Sequence, residues 1–389
     1  MAESWEYIRR KSTTRPMWLK WFKEVRVMLS RTALFKLLAT VMAAGIAVAA
    51  CGGTTPAASS APTTGASVAP SAALGQLPVP ELTKVRIGIS TPTEPVQFAE
   101  TLAERLGIYK KYGITTVEVT GFEGDGKALQ ALVADQVDFF VGGASTAINS
   151  VVTDTPVKVI SMNSTTLTDG LFCGAAIKTP ADVKGKSVAI STFGGTSHGS
   201  ALLMLKGIGL TDKDAVITQT GGEGVRIAAL KGGSVGCAVV GMSQEKAMKD
   251  AGLNLLIDLS KAKLQWGRSG LMAKTTFLAK NPNTALVVVA AALEAQNSIW
   301  TDTATATAKF VDWAQVKADA ADLVMKDFLT YGSRSMTFTA DAFVAPRDVL
   351  ASVNPAVKDV DVTKAFDLSY LTKLKDIGFY QKNNIPTTN

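Results

Sequence analysis

Ile87-Gly88-Ile89-Ser90-Thr91 recurs about 100 residues on as Val188-Ala189-Ile190-Ser191-Thr192, and reading the two as one unit used twice decides the fold. Each copy is a short apolar strand that ends in hydroxyl residues ahead of a helix. The agreement continues in register. Residues 117–121 lead to Ala131-Leu132 and then to 139–143, as residues 217–221 lead to Ala229-Leu230 and then to 237–241. Single apolar pentapeptides match by chance, but several in one order at one offset mark an internal duplication. After each opening strand the apolar residues take helical spacing, at Phe98, Leu102, Leu106 and Tyr109 and again at Ala201, Leu202, Leu205 and Ile208. The expectation is an α/β protein of two similar lobes, each running strand, helix, strand, helix, strand, with mainly parallel sheets. Beyond Leu259 the pattern turns helical, most clearly over 285–300 and 316–329, and this tail must pack on one of the lobes.

The chain is long enough for two cores, with 389 residues of which 47% are apolar. Its net charge of +7 is concentrated at the start. Residues 1–36 carry nine Lys or Arg against Glu3, Glu6 and Glu24, a net of +6, which leaves +1 from Leu37 onward. So neutral a body argues against nucleic acid as a partner. The apolar run LLATVMAAGIAVAA, residues 37–50, has 14 residues, where a membrane span needs about 20. It reads as the core of an export signal over 1–50, with Met28 giving a more compact start. Val48-Ala49-Ala50-Cys51 resembles the bacterial lipoprotein signal, in which the thiol of the cysteine receives the lipid; Cys51 is thus the expected lipidation site. Residues 52–80 are mostly Gly, Ser, Thr, Ala and Pro with few large apolar residues, so 51–81 is expected as a lipidated, flexible linker. Cys173 and Cys237 would mature where disulfides are permitted. The strand layout is expected to set them toward opposite ends of antiparallel neighbours, beyond the roughly 7 Å reach of a bridge, so an unbridged pair is expected.

From about Lys84 to Tyr380 the chain resembles the nitrate, taurine and alkanesulfonate group of ABC-transporter substrate-binding proteins, which includes binders of thiamine-pyrimidine precursors. The resemblance rests on residues 106–114 (LGIYKKYGI), 131–139 (ALVADQVDF), 179–190 (TPADVKGKSVAI) and 366–371 (FDLSYL), taken in that order. It implies a type II periplasmic-binding-protein fold, two lobes joined by two crossings near 163–172 and 257–264. Lobe one would be 82–165 plus 262–389, and lobe two 166–261. It further implies a small-molecule ligand, an ABC permease and its ATPase as partners, a lipid-anchored monomer on the extracytoplasmic face of the membrane, and no cofactor, metal or catalytic residue. The ligand would be a small organic anion or heterocycle, such as a sulfonate, nitrate or taurine, or a vitamin precursor. One departure stands out. Where the group repeats Val-Asp before the last strand of lobe two, this chain has Val235-Gly236-Cys237.

In open parallel sheets ligands bind beyond the carboxyl ends of the strands. The duplication therefore selects Ser90, Thr91 and Glu94, Phe122, and Gly143, Ala144 and Ser145 in lobe one. In lobe two it selects Phe193, Gly194, Gly195, Thr196 and Ser197, then Glu223 and Gly241. Residues 193–198 (FGGTSH) are the strongest of these, since glycines admit close approach and the following helix start offers free N–H donors. Each such loop also reads as an ordinary turn with a hydroxyl cap. Phe193, Phe122 and Trp266 are candidates to stack on a ligand, Trp266 equally a packing aromatic. Glu94, Asp125 and Glu223 read as solvated loop acids, although two of them facing a cleft would favour an amine or ring N–H over a sulfonate. Arg268 reads as a partner for an acidic ligand or a surface residue. His198 is the sole histidine. Two other functions stay open: a thiamine-pyrimidine-synthase-like enzyme, for which one His and two body cysteines supply too few metal ligands, and a ligand sensor for a receptor.

Overall fold

The structure, a computed structural model, describes residues 74–262 and 264–388. The expected signal peptide, the Met28 start, Cys51 and most of the linker lie outside the described residues. Strands β1 (Lys84–Ile89), β2 (Thr116–Gly121), β3 (Phe139–Gly142) and β4 (Val157–Thr166) are followed by β5 (Asp169–Cys173), β6 (Ser187–Ile190), β7 (Val216–Gln219), β8 (Cys237–Gly241), β9 (Asn254–Asp258) and β10 (Gln265–Lys274). They form two five-stranded sheets, ordered β2-β1-β3-β10-β4 and β7-β6-β8-β5-β9. In each, three strands run parallel, and the fourth in the order is antiparallel to both its neighbours. That antiparallel strand is always the one by which the chain arrives from the other sheet, β5 after Thr166 and β10 after Asp258. The duplication thus extends to a fourth strand, β4 matching β9, which the sequence comparison did not reach.

The helices follow the expected alternation. α1 (Ala99–Arg105) and α2 (Ile108–Lys111) divide the helical run expected over 98–109, because Gly107 at φ 70° stops the first turn series. α3 (Asp125–Val133) and α4 (Ala144–Val152) complete the first repeat; α5 (Thr196–Gly207), α6 (Glu223–Lys231) and α7 (Glu245–Asp250) serve the second. The tail supplies α8 (Thr275–Lys280), α9 (Pro282–Thr301), α10 (Thr303–Ala314), α11 (Ala318–Tyr331), α12 (Asp341–Leu350), α13 (Ser369–Asp376) and α14 (Phe379–Lys382). Pro282 opens α9 at its first turn, where a missing N–H is harmless. Small apolar residues on every side of α9 let it run through the core of the first sheet, buried from Thr284 to Ile299 on most faces. Among the described residues no helix is long and apolar enough to cross a membrane.

Two expectations need correction. The linker expected through Glu81 ends earlier, for from Leu74 the chain is docked: the Gly75 amide donates to the Ile377 carbonyl at 2.7 Å, and the Glu81 carboxylate accepts the amides of Asn283 and Thr284 at the start of α9. Leu77 packs on the first core, so the apolar residues that end the small-residue run are what anchor it. Cys173 and Cys237 are bridged, with Cα atoms 4.0 Å apart. They are direct partners across β5 and β8, since in an antiparallel pair the last residue of one strand lies beside the first residue of the other.

The Val-Asp departure is also explained. Asp138 precedes β3 and accepts the Arg86 amide at 2.8 Å and its guanidinium at 2.6 Å, fastening β1 to β3. In the second sheet the Ser187 hydroxyl accepts the Gly236 amide at 2.9 Å and the Gly236 carbonyl accepts the Gly174 amide. A Cβ at Gly236 would sit 2.9 Å from that of Lys186. A hydroxyl and a bare backbone do there what a carboxylate does in the first copy.

Candidate ligand-binding site

The carboxyl ends of the two parallel triplets carry the same devices. After β1, Gln97 reaches back to the Thr91 amide at 2.8 Å and to the Ser90 hydroxyl at 2.9 Å. After β6, Ser197 does so for the Ser191 amide at 2.8 Å and the Ser191 hydroxyl at 2.7 Å. A carboxylate at the first residue of α3 or α6 receives a backbone amide at the end of the third strand: Asp125 takes Gly143 N, just past β3, at 3.3 Å, and Glu223 takes Gly241 N, the last residue of β8, at 3.0 Å. Each acid sits at a helix N-terminus, where the partial positive charge of free N–H groups favours it.

These ends meet face to face. The Gly126 amide donates to Thr192 Oγ1 at 3.3 Å, Asn149 Nδ2 to the Gly194 carbonyl at 2.8 Å, and Thr196 Oγ1 to the Arg268 carbonyl at 3.4 Å. The approach depends on glycine. A Cβ on Gly143 would lie 1.7 Å from Thr196 Oγ1, one on Gly124 2.8 Å from Thr192 Cγ2, and one on Gly194, at φ 78°, 2.8 Å from Asn149 Nδ2. Between Thr91, Glu94, Asp125, Ser191, Thr196 and Arg268 only about 20 Å³ remains. The crevice opens on either side of this seam. One mouth, about 660 Å³, is bordered by Thr146, Asn149, Phe193, Gly194, Gly195 and His198. The other, about 420 Å³, is bordered by Thr93, Glu223, Ile227, Ser243 and Phe310.

The seam is ionic. Arg268, read from sequence as a ligand partner or a surface residue, is 7% exposed. Its Nη1 donates to Glu94 and its Nη2 to Asp169, each at 2.8 Å, while its Nε has no partner. Burial opposes its charge, but Asp169 and Glu94 more than offset that and hold its pKa above the arginine norm. Asp169 also accepts the Ser200 hydroxyl at 2.5 Å. Arg226 spends Nε and Nη1 on the carbonyls of Val239 and Gly221, leaving only a 3.9 Å approach to Glu223. Burial first, and Glu94 second, push the Glu223 carboxyl up to about 8. The expectation that Glu94, Asp125 and Glu223 are solvated loop acids is therefore corrected: at 7%, 5% and 5% exposure they are walled in by the opposite sheet.

The aromatic expectations divide. Phe193 is 57% exposed at the larger mouth and stands edge-on to His198, whose Nδ1 accepts the Gly194 amide at 3.0 Å. Burial holds the His198 imidazole below its ordinary pKa. Phe122 packs over Gly88 of β1. Trp266 is fully buried in the second core against Gly199, so it is the packing aromatic, since it lies beneath α5 rather than at the strand ends. Its Nε1 and the Ser145 Oγ are buried without partners. Ala144 is buried at the start of α4 beside Gly267. Sequence reasoning missed Gln97, Asn149, Asp169 and Arg226. Asp169 opens the strand that follows the first crossing, and Arg226 stands one helical turn from Glu223, so spacing held a signal for both. Among the described residues no group of three or more His, Cys, Asp or Glu is placed to hold a metal ion.

The profile described as NMT1/THI5 like matches residues 95–306. No curated protein sequence matches the chain. Among solved structures, the alkanesulfonate-binding protein SsuA from Xanthomonas axonopodis pv. citri, bound to MOPS, is similar at 16% identity over 75% of this chain and 99% of its own, with a TM-score of 0.62. The periplasmic nitrate-binding protein NrtA from Synechocystis PCC 6803 is similar at 16% identity over 80% and 93%, with a TM-score of 0.57. The desulfurization enzyme DSZB is similar at 13% identity over 75% and 99%, with a TM-score of 0.54. At such identities the likeness is one of fold: the periplasmic-binding-protein fold of two α/β sheets.

Proposed function

The chain belongs to the NMT1/THI5-like family, and from that premise we propose that it is the solute-binding component of an ABC importer, with 82–165 plus 262–389 as one lobe and 166–261 as the other. A single observation carries the reading. Duplicated strand ends confront each other across a seam of glycine and hydroxyl contacts, while among the described residues the chain passes between the sheets twice, after β4 and after β9. Two short crossings allow the lobes to part as rigid bodies, and a solute bridging both would favour closure through interactions it makes only with the closed form. With about 20 Å³ left in the seam, room for about one water, entry of an organic solute requires that parting. A permease then reads closure. Cys51 would tether the protein by lipid to the extracytoplasmic face of the membrane.

The resemblance offers sulfonates, nitrate-like anions and vitamin-precursor heterocycles as ligands, and the fold likeness does not choose among them. His198 supports a binder over an enzyme. Its Nδ1 accepts a turn amide and its ring stands edge-on to Phe193, so the sole histidine serves the geometry of the glycine loop. The test is native mass spectrometry of the chain expressed in a bacterial host. A co-purifying small molecule is expected, lost in Gly194→Val, whose side chain would strike Asn149 and hold the lobes apart. A chain that captures nothing, or a variant that retains the molecule unchanged, defeats the proposal.

A further inference from the structure

The four acids of the seam, Glu94, Asp125, Asp169 and Glu223, face only two buried cations, Arg226 and Arg268. One of those cations is largely spent on carbonyl oxygens. The other shows what the acids select, since a guanidinium already fills the place between Glu94 and Asp169 with a hydrogen bond to each. Glu223 has no such partner. Only its Oε2 takes a hydrogen bond, from the Gly241 amide, and at 5% exposure the residue keeps little contact with water. Its side lines the 420 Å³ mouth.

That mouth has the form of a site for an organic cation. Ile227, Phe310 and Leu323 make an apolar wall, Glu223 sits at its inner end, and Asp319 and Asp250 stand at the rim, where the one lysine, Lys246, is held by Asp250 at 2.6 Å. Thr93 at its edge keeps φ at 80°, a left-handed conformation that costs a threonine on the order of 1 kcal/mol or more and persists where surrounding structure enforces it. Resting on the solute-binding reading above, we propose that the ligand carries a cationic head, an amidinium, guanidinium or ammonium group, bound between Glu223 and Glu94, with an apolar body along Ile227 and Phe310, and that sulfonates and nitrate are refused. The refusal has a direct cause: an oxyanion placed there would meet two carboxylates, and each of the two arginines already donates twice within the protein. The raised pKa of Glu223 agrees, because a proton stands in for the absent cation. The groups that face it are Glu94, Arg226 and Arg268 within the seam and Lys246, Asp250 and Asp319 at the rim.

Charge-opposed pairs of one shape test this on the full chain by calorimetry: benzamidine against benzenesulfonate, and methylguanidinium against nitrate. Each cation is expected to bind at least about tenfold tighter than its anion, the worth of one charge-assisted hydrogen bond. Glu223→Gln keeps the shape, and should weaken benzamidine by about tenfold or more without unfolding the protein; Asp319→Asn should weaken it less. An anion that binds as well as or better than its cation, a pair in which neither binds, or a Glu223→Gln chain that holds benzamidine unchanged overturns the inference. A preference for anions would leave the importer reading standing, whereas that reading falls separately, if native mass spectrometry finds nothing captured.

Discussion

The two sheets share one strand order but are held together differently. The first lies within an extensive apolar core, with α9 threaded through it and α10 to α14 wrapped around. The second has two smaller clusters, one around Trp266 and one around Phe172, on either side of a sheet whose strands β5 and β8 are joined by Cys173–Cys237. Duplication copies the backbone path, not the source of stability. The copy whose apolar clusters take, among the described residues, only Ala345 and Val349 of α12 from the helical tail is thin in core and carries a covalent staple.

Breaking the staple tests this most strongly. Cys173→Ser with Cys237→Ser should lower unfolding stability by about 2–5 kcal/mol, since the bridge closes a loop between residues 64 apart in sequence. The loss should be local. Hydrogen exchange should quicken in β5, β6 and β8 while β1, β3 and α9 keep their protection. Equal quickening in both sheets would show that the second has no separate weakness.

The pH dependence sharpens the same contrast. Glu100 of α1 is fully buried in the first lobe against Asn163 Nδ2 at 3.0 Å, with no ion-pair partner, and burial pushes it up to about 7. Glu223 in the second lobe is pushed up to about 8. For both the folded pKa exceeds the unfolded one, so between the two values the native chain holds a proton that the unfolded chain has released. Stability therefore falls as pH rises, from the ordinary glutamate range to about 7 for Glu100 and to about 8 for Glu223, and is level above that. The Glu100 part is on the order of 3 kcal/mol, at about 1.4 kcal/mol per pKa unit. Urea unfolding at pH 5 and pH 8.5 measures it. Glu100→Gln should roughly halve the slope below about pH 7, where both acids contribute, and leave the part above it to Glu223; a slope unchanged in that variant would remove Glu100 as its source.

How far the sequence carries follows from the same division. Three strands of each repeat were legible because β1, β2 and β3 keep their spacing and their hydroxyl or glycine endings in β6, β7 and β8. The fourth was not, since 157–166 and 254–258 share no pattern; their equivalence comes from where the chain crosses. The loops of the seam were legible through Gly143, Gly194 and Thr196, whose types a close approach demands. The burial of Glu94, Asp125 and Glu223 was not, because each looks like a loop acid until the other lobe is laid over it. Trp266 misled for the opposite reason: an aromatic near a crossing reads alike whether it faces the crevice or the core. The bridge was missed at the strand ends: β5 and β8 are the antiparallel neighbours expected, but Cys173 and Cys237 lie at the same end of the pair.

Asp125 and Glu223 give the finest comparison, being the same position in the two copies. Asp125 accepts two buried donors, Gly143 N at 3.3 Å and Thr146 Oγ1 at 2.9 Å, and its neighbours Gly126 and Gly143 touch the opposite lobe. Glu223 accepts one amide and lies beside a second carboxylate, Glu94. Asp125→Ala should therefore cost about 2–4 kcal/mol by leaving two buried donors unmet, and Glu223→Ala about 1 kcal/mol or less, because the one stranded amide is partly offset by relief from Glu94. Urea denaturation of the two variants at pH 7 decides it. Equal costs would mean that both carboxyls are only turn fasteners. A smaller cost at Glu223 separates a fastener from a group that the fold leaves unsatisfied, and it should shrink further above pH 8, where the wild-type chain must hold two charged glutamates together.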